Sequence, residues 1–558
     1  METRLWYTYS NYERENSHMN KVASYLRGHL AGEVVTRTDV LAAMSADAGI
    51  LSIKPELAIY PRTTNDIRKI ARFSWQLAEK GHALSITSRG AGTDATGAAI
   101  GKGVLVGTKP HMNRIYELDP KQRLVRLQAG ASVESITQAL ALQGQHIPAL
   151  FGSVGEGTIG GAVASGVVGA LAGKYGSIVR AVDQLEIVLA SGDVLQTGHV
   201  SKRELNRLKG TQGAIGDIYR GVDTILEENA EVLDKLRSDD ATGFNGIADV
   251  KQTDGSFDLT PLFVGSQGTL GIISELIMKT ETKGDHYAIG AYVYEKTDEA
   301  RDAFDELCRL DPAFIDYFDA TLFETAMDSG KKYEFYAKAA ESFKPAAVIV
   351  IGFDDANDRT RAKHLKKLRK IAEKSGTYLA TADMDEAEAM LAVRDVVYYT
   401  QAPDKTDAAA PQLFGGFQVP GDRFEDFYIS LQTLAANLKM PLPLSGHVYT
   451  GVYTVHPTFD YRKVGDKQKI FKLMDELSRL VIKHGGAMVS EGGEGRIKAK
   501  FIYPHLDPQL TKMYEDIKKV FDPRGVFNQG VKQPEDVRKL AEMTRQSPDL
   551  GYVATLSS

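Results

Sequence analysis

Gly152-Ser153-Val154-Gly155-Glu156-Gly157-Thr158-Ile159-Gly160-Gly161 places five glycines in ten positions. A close-packed core would favour larger side chains there, so the run is poorly explained as an ordinary packed element. Close approach of the backbone to a flat or extended molecule explains it better than a simple chain reversal. Two more stretches follow the same logic. Arg89-Gly90-Ala91-Gly92-Thr93 comes directly after an expected strand at 83–87, and Gly265-Ser266-Gln267-Gly268-Thr269-Leu270-Gly271-Ile272-Ile273 lies farther on. Consecutive small residues let successive backbone N–H groups converge on a phosphate. The first loop also spells G-x-G-x-x-[GA] from Gly90 to Ala95. A dinucleotide-binding turn would then open a helix, whereas here Gly97, Gly101 and Gly103 lead into another strand.

Outward from these loops the pattern alternates. Leu57–Tyr60 reads as a strand closed by Pro61, Thr63 to Asp66 offer N-cap residues, and Ile67, Ile70, Ala71 and Ser74 recur at helical spacing up to Gly81. Strands are expected at Gly103–Val106, Arg123–Ala129 and Leu185–Leu189, and helices at Val133–Gln143 and within 201–240. Beyond about 284, strand-like Ala288–Tyr294, Ala346–Gly352 and Phe414–Val419 alternate with charged helical stretches Thr297–Leu310, Asn357–Lys374 and Asp422–Leu438. That pattern suits an antiparallel sheet with helices on one side. The expected division is a helical segment over 1–54, a first domain over 55–283, a second over 284–500, and a segment over 501–558 that returns to the first.

The chain of 558 residues is 43% hydrophobic and 25% charged, ordinary for a soluble globular protein. Its net charge of −6 and lack of a basic stripe argue against a nucleic-acid binder. Cys308 is the only cysteine, which excludes a disulfide framework, a cysteine-rich zinc site and a cysteine-bound iron–sulfur cluster within one chain. No strongly apolar run reaches 18 residues, and the N-terminus mixes acids, bases and aromatics. A cytoplasmic protein without a transmembrane segment is expected.

The ordered set Pro61-Arg-Thr-Thr-Asn-Asp-Ile67, Arg89–Thr93, Gly152–Gly161, Lys174-Tyr175-Gly176, Gly265–Ile273 and Val520-Phe-Asp-Pro-Arg-Gly-Val-Phe-Asn-Gln-Gly530 resembles the vanillyl-alcohol-oxidase-type (PCMH-type) FAD-binding oxidoreductases. Within them it is most similar to the family of glycolate oxidase and D-lactate dehydrogenase flavoproteins, from about residue 30 to 532. The resemblance implies an α+β protein: a two-subdomain PCMH-type FAD-binding domain plus an antiparallel-sheet substrate (cap) domain with helices on one side. It implies that Arg89, Gly90, Ala91, Gly92 and Thr93 wrap the FAD pyrophosphate through backbone amides. Ser153, Thr158, Gly160 and Gly161 would line the diphosphate and isoalloxazine, and Ile272 and Ile273 would approach the flavin or its adenine side. Relatives that attach FAD covalently use a His near this loop. Here Ala91 and Gly92 stand in those places, so non-covalent FAD is expected.

Flavin oxidation of a small 2-hydroxy acid requires a cation on the carboxylate, a base for the hydroxyl proton, and Cα–H facing flavin N5. By the resemblance Arg394 grips the carboxylate and Lys498 lies near the substrate. His447, His456 and Glu491 match positions that hold a divalent metal such as zinc. The two histidines stand nine residues apart where the family has seven, and Gly492 stands where the family places its basic His. His447, Tyr449, Tyr453 and Glu491 are the open choices for a replacement base. The leading reading is therefore an FAD-dependent oxidoreductase acting on D-lactate- or glycolate-like 2-hydroxy acids by hydride transfer to N5. The alternatives are a phenolic or larger alcohol as substrate, or a catalytically silent flavin-binding subunit of a redox complex. Quinone, a flavoprotein carrier, a cytochrome and O₂ are all compatible as electron acceptor. Peripheral attachment at the inner face of a membrane is compatible with the family, although no basic amphipathic helix marks it.

Overall fold

Thr63 starts the element that organises the N-terminal half. Its hydroxyl accepts the Asp66 N–H, and the helix Thr64–Glu79 buries Ile67, Ile70, Ala71 and Ser74 before Gly81, at φ 79°, ends it. The returning strand Ile86–Arg89 pairs parallel with Val104–Gly107, which pairs parallel with Leu57–Tyr60. Glu33–Val35 adds an antiparallel edge to this four-stranded sheet. That strand falls within the stretch expected to be helical. Among the described residues of that stretch, 21–29 and Thr38–Ala43 are α-helical. The structure, a computed structural model, describes residues 21–545 apart from 153–154, 285, 356, 384, 402–407 and 461. Ser153 therefore lies outside the described residues.

A second, wholly antiparallel sheet runs Ile115–Asp119, Leu124–Gln128, Ile272–Lys279, Val182–Val188, Val194–Gln196. The glycine stretch 265–271 leads directly into its central strand. The helix Ile159–Ser165 packs across that strand, and its Gly160 N–H donates to Ala129 O at 2.8 Å.

The third sheet has seven antiparallel strands: Tyr378–Asp383, Ala288–Tyr294, Ala347–Phe353, Phe314–Asp319, Leu444–His447, Val452–Val455, Gly415–Gln418. Three of its inner strands, Ala288–Tyr294, Ala347–Phe353 and Phe314–Asp319, are buried throughout. Long helices cover one face. Tyr292 donates to Leu368 O of Asp358–Ser375, and Tyr317 packs edge-on against Phe424 and Tyr428 of Phe424–Leu438. The opposite face, carrying Ile289, Phe314, Phe318 and Val350, meets shorter helices such as Ala320–Asp328 and Glu334–Ala340, together with Ala170 and Leu171 of the N-terminal half. One-sided cover thus describes the long helices but not the short ones, because both faces of this sheet are apolar and both must be buried.

The two halves are stitched together. Lys174 Nζ and Tyr175 Oη both reach the Asp354 carboxylate at 2.5 Å. Near the C-terminus, Ile86 N–H donates to Val526 O at 2.9 Å and Asn528 N–H to Ile86 O at 2.8 Å, so residues 526–528 extend the first sheet beyond its Ile86–Arg89 edge. Glu494 and Lys532 form a fully buried ion pair at 2.7 Å, satisfied further by Tyr503 Oη and Gly243 N–H. Among the described residues no helix is long and apolar enough to cross a membrane.

Candidate active site

The three glycine stretches come together. Gly90 lies so close to Thr158 that any side chain there would collide with it. Gly265 N–H donates to Val163 O at 2.9 Å and Gln267 N–H to Ala164 O at 2.8 Å, which ties the third stretch to the helix that begins within the second. Together they wall one end of a cavity of about 760 Å³, and Ile272 and Ile273 also line it. The backbone N–H groups of Gly90, Ala91, Gly92 and Thr93 make no hydrogen bond among the described residues. Four adjacent unpaired donors at a cavity wall form an anion-binding nest, so this end fits the pyrophosphate of FAD.

Individual residues serve that end differently. Thr158 caps its helix, accepting Gly161 N–H at 3.3 Å. Gly161 is exposed to the cavity, whereas Gly160 is glycine because a side chain would put its first carbon 2.7 Å from Ala129 Cβ. Arg89 supports the loop from behind through Ala46 O at 2.8 Å and Ala99 O at 3.3 Å, and burial pulls its guanidinium pKa down. Gln267, left-handed at φ 52°, donates through Nε2 to Thr96 Oγ1 (3.0 Å) and Gly492 O (3.2 Å) and accepts Gly495 N–H (2.9 Å). It thereby fastens the 492–495 loop to the cradle, a role that sequence reading did not assign.

The lining also carries charged groups from the C-terminal half. Asp316 points into the cavity from the strand Phe314–Asp319, its side chain 2% exposed. Its Oδ2 pairs with Arg394 Nε at 2.6 Å and its Oδ1 with His447 Nδ1 at 2.6 Å. Burial opposes its charge, but the two partners hold its carboxyl below the ordinary value. Arg394 also lies over the rings of Phe151 and Phe314, at 5.0 and 5.4 Å, and its remaining nitrogens face Gly152. Glu491 and Lys498 line the same space. Burial pushes the Glu491 carboxyl up, and burial pulls the Lys498 ammonium down to about 8 although its Nζ donates to Gly415 O at 2.8 Å.

Of the four candidates for the base, only two line the cavity. His447 and Glu491 do; Tyr453 is buried against Phe424, and Tyr449 packs on Gly173 near Asp311. The three candidate metal ligands, His447, His456 and Glu491, all line the cavity, but their side chains as they stand do not converge on one point. His456 Nε2 is hydrogen-bonded to Ser445 Oγ at 2.8 Å, burial lowers its pKa to about 4, and no group of three His, Cys, Asp or Glu side chains among the described residues is placed to hold an ion. These residues do not fit a metal site as they stand. Gly492, at φ 79°, leaves open space where the family His would project, and its N–H donates to Ser165 O. Asp316 was missed although its signal was present: Phe314-Ile-Asp-Tyr-Phe-Asp319 sets two carboxylates in an otherwise apolar strand, and buried charges require partners.

Residues 55–198 match the FAD binding domain family and residues 285–531 the C-terminal domain of FAD linked oxidases. The chain is 25% identical over 515 residues to a D-2-hydroxyglutarate dehydrogenase of Pantoea ananatis, covering 89% of this chain and 50% of that protein. The chain thus spans about half the length of that relative. It is 26% identical over 495 residues to the glycolate oxidase subunit GlcD of Bacillus subtilis, covering 87% of this chain and 90% of that one. A solved structure of 4-ethylphenol oxidase from Gulosibacter chungangensis, with isoeugenol, shares the fold at TM-score 0.66 and 15% identity over 91% of this chain and 95% of its own. The chain belongs to the FAD-linked oxidoreductases, with an FAD binding domain followed by the C-terminal domain of FAD linked oxidases.

Proposed function

We propose that the protein oxidises a small D-lactate- or glycolate-like 2-hydroxy acid to the 2-oxo acid. The observation that carries this reading is the sharing of one cavity by a nest of unpaired backbone donors and by Arg394 and His447. Residues 90–93 hold the FAD pyrophosphate, Gly161, Ile272 and Ile273 line the rest of the cofactor, and attachment is non-covalent because Ala91 and Gly92 offer no nucleophile. Bound FAD supplies the acceptor for the hydride that leaves substrate Cα. Arg394 presents a guanidinium edge to the substrate carboxylate, a planar match that also orients Cα. His447 accepts the hydroxyl proton, since its ring lines the cavity whereas Tyr449 and Tyr453 do not. Lys498 lines the same cavity as Glu491, and its charge favours the Glu491 carboxylate from a buried position. The relatives named for D-2-hydroxyglutarate and glycolate support this substrate class.

The test is anaerobic mixing of the flavin-loaded protein with D-lactate, glycolate and D-2-hydroxyglutarate. Loss of the oxidised-flavin absorbance with at least one D-2-hydroxy acid, and not with its L-enantiomer where one exists, supports the reading. A flavin that stays oxidised with all of them, or that is reduced only by a phenolic alcohol, refutes it.

A further inference from the structure

We infer that Asp316 is the positioning residue that makes carboxylate binding and proton abstraction a single device. The inference rests on the substrate reading above and assigns a function to a side chain that the reading itself does not use. Asp316 and His447 are directly opposite one another in the antiparallel pair Phe314–Asp319 and Leu444–His447, so both side chains leave the sheet on the same face. The carboxylate is almost fully buried; Oδ1 is hydrogen-bonded to His447 Nδ1 at 2.6 Å, and Oδ2, which completes no hydrogen bond among the described residues, lies 2.6 Å from Arg394 Nε. Desolvating a carboxylate costs several kcal/mol before its partners offset it. Packing alone gives no reason for such a group on a strand whose neighbours are Phe314, Ile315, Tyr317 and Phe318.

Each contact has a chemical consequence. Because a carboxylate only accepts, His447 must donate from Nδ1, and the neutral ring then carries its lone pair on Nε2. Asp316 therefore selects the tautomer that can act as base. The second oxygen forms an ion pair with Arg394 through a 2.6 Å contact at Nε. Nη1 and Nη2 face Gly152, whose missing side chain leaves space beside them for a planar carboxylate, and Phe151 and Phe314 lie against the guanidinium. One side chain thus sets the distance between the group that grips the substrate and the group that takes its proton. Atoms balance in the step it serves: the hydroxyl proton passes to His447 Nε2, the hydride leaves Cα for bound FAD, and the C–O bond becomes a carbonyl. Asp316 keeps its charge throughout.

Asp316→Asn is the test, read per bound flavin in anaerobic stopped-flow reduction by the acid that reduces the wild type. The amide can donate to either ring nitrogen and cannot hold Arg394 by charge. The rate of flavin reduction should fall by about 10²- to 10⁴-fold and the apparent Kd for the acid should rise at least tenfold. Asp316→Glu keeps the charge but moves both oxygens by one methylene, and should recover tight acid binding without recovering the rate. It serves alone if the Asn variant does not fold. A residue that only stabilised the sheet would lower flavin content while leaving reduction per bound flavin unchanged. Reduction within threefold of wild type in the variant that folds overturns the inference and leaves the substrate reading standing. Failure of every 2-hydroxy acid to reduce the wild type overturns both.

Discussion

Gly160 and Gly161 are neighbours on one short helix, yet they should fail in different ways when a methyl group is added. At Gly160 the new carbon would stand 2.7 Å from Ala129 Cβ and 2.8 Å from Ala129 O, whereas a relaxed carbon contact needs about 3.5–4.0 Å. The helix must withdraw by about 1 Å, which also stretches the 2.8 Å bond from Gly160 N–H to Ala129 O. Overpacking of about 1–3 kcal/mol and a weakened hydrogen bond of about 1 kcal/mol outweigh the roughly 0.5–1 kcal/mol that alanine gains over glycine in a helix. G160A should therefore lose about 2 kcal/mol of stability with or without flavin. At Gly161 the nearest atom is Thr158 Oγ1 at 3.1 Å, and the rest of the surroundings is cavity. G161A apoprotein should be as stable as wild type or about 0.5 kcal/mol more so, while the methyl intrudes where the cofactor lies and lowers FAD affinity at least tenfold. Urea unfolding of both apoproteins and titration of each with FAD by fluorescence separate the two effects. G161A apoprotein that binds FAD as tightly as wild type would refute the placement of the cofactor against this face.

Three further outcomes follow from the same geometry. R394A should raise KM for the 2-hydroxy acid by about 10²-fold, the loss of a paired charge-assisted contact, and R394K should recover little of it because an ammonium cannot present a planar edge; steady-state kinetics checks both. Q267A leaves the buried Gly495 N–H without its acceptor, which costs about 1–3 kcal/mol and should lower flavin retention through gel filtration. Lys498 has a folded pKa near 8 against 10.5 for an ordinary lysine, so the folded state binds its proton less readily than the unfolded chain does. The resulting penalty is complete below pH 8 and fades as pH rises towards 10.5, giving up to about 3 kcal/mol of stability gained over that window. K498M should flatten this rise in the urea midpoint measured from pH 7.5 to 10.5.

The cradle was legible because glycine leaves a strong compositional mark: three runs hundreds of atoms apart along the chain could be assigned to one ligand before any contact was known. Strand starts such as Ala288, and the cap at Thr63, were readable from local pattern and capping chemistry. What escaped was whatever depends on pairing across long separations. Phe314–Asp319 looks merely apolar until Leu444–His447 is laid beside it, and only then does Asp316 meet His447. Gln267 likewise reads as an interruption in a glycine run, since its partners Thr96, Gly492 and Gly495 come from distant segments. The expected metal set is brought to one cavity without its side chains converging. Residue types matched a pattern, but the hydrogen bond from His456 to Ser445 and the open space at Gly492 are matters of packing that spacing does not encode.

Thr87 donates to Asn528 Oδ1 across 441 residues, and Asn528 Nδ2 returns to Ala98 O on the far side of the flavin loop. At ordinary elongation rates a ribosome takes roughly half a minute to a minute and a half to span that interval. Throughout that time the nascent Ile86–Arg89 edge has no neighbour on its outer side, and such unpaired edges invite association with other chains. The socket for the prosthetic group is therefore finished only after residues 526–528 have been synthesised and have docked against Ile86.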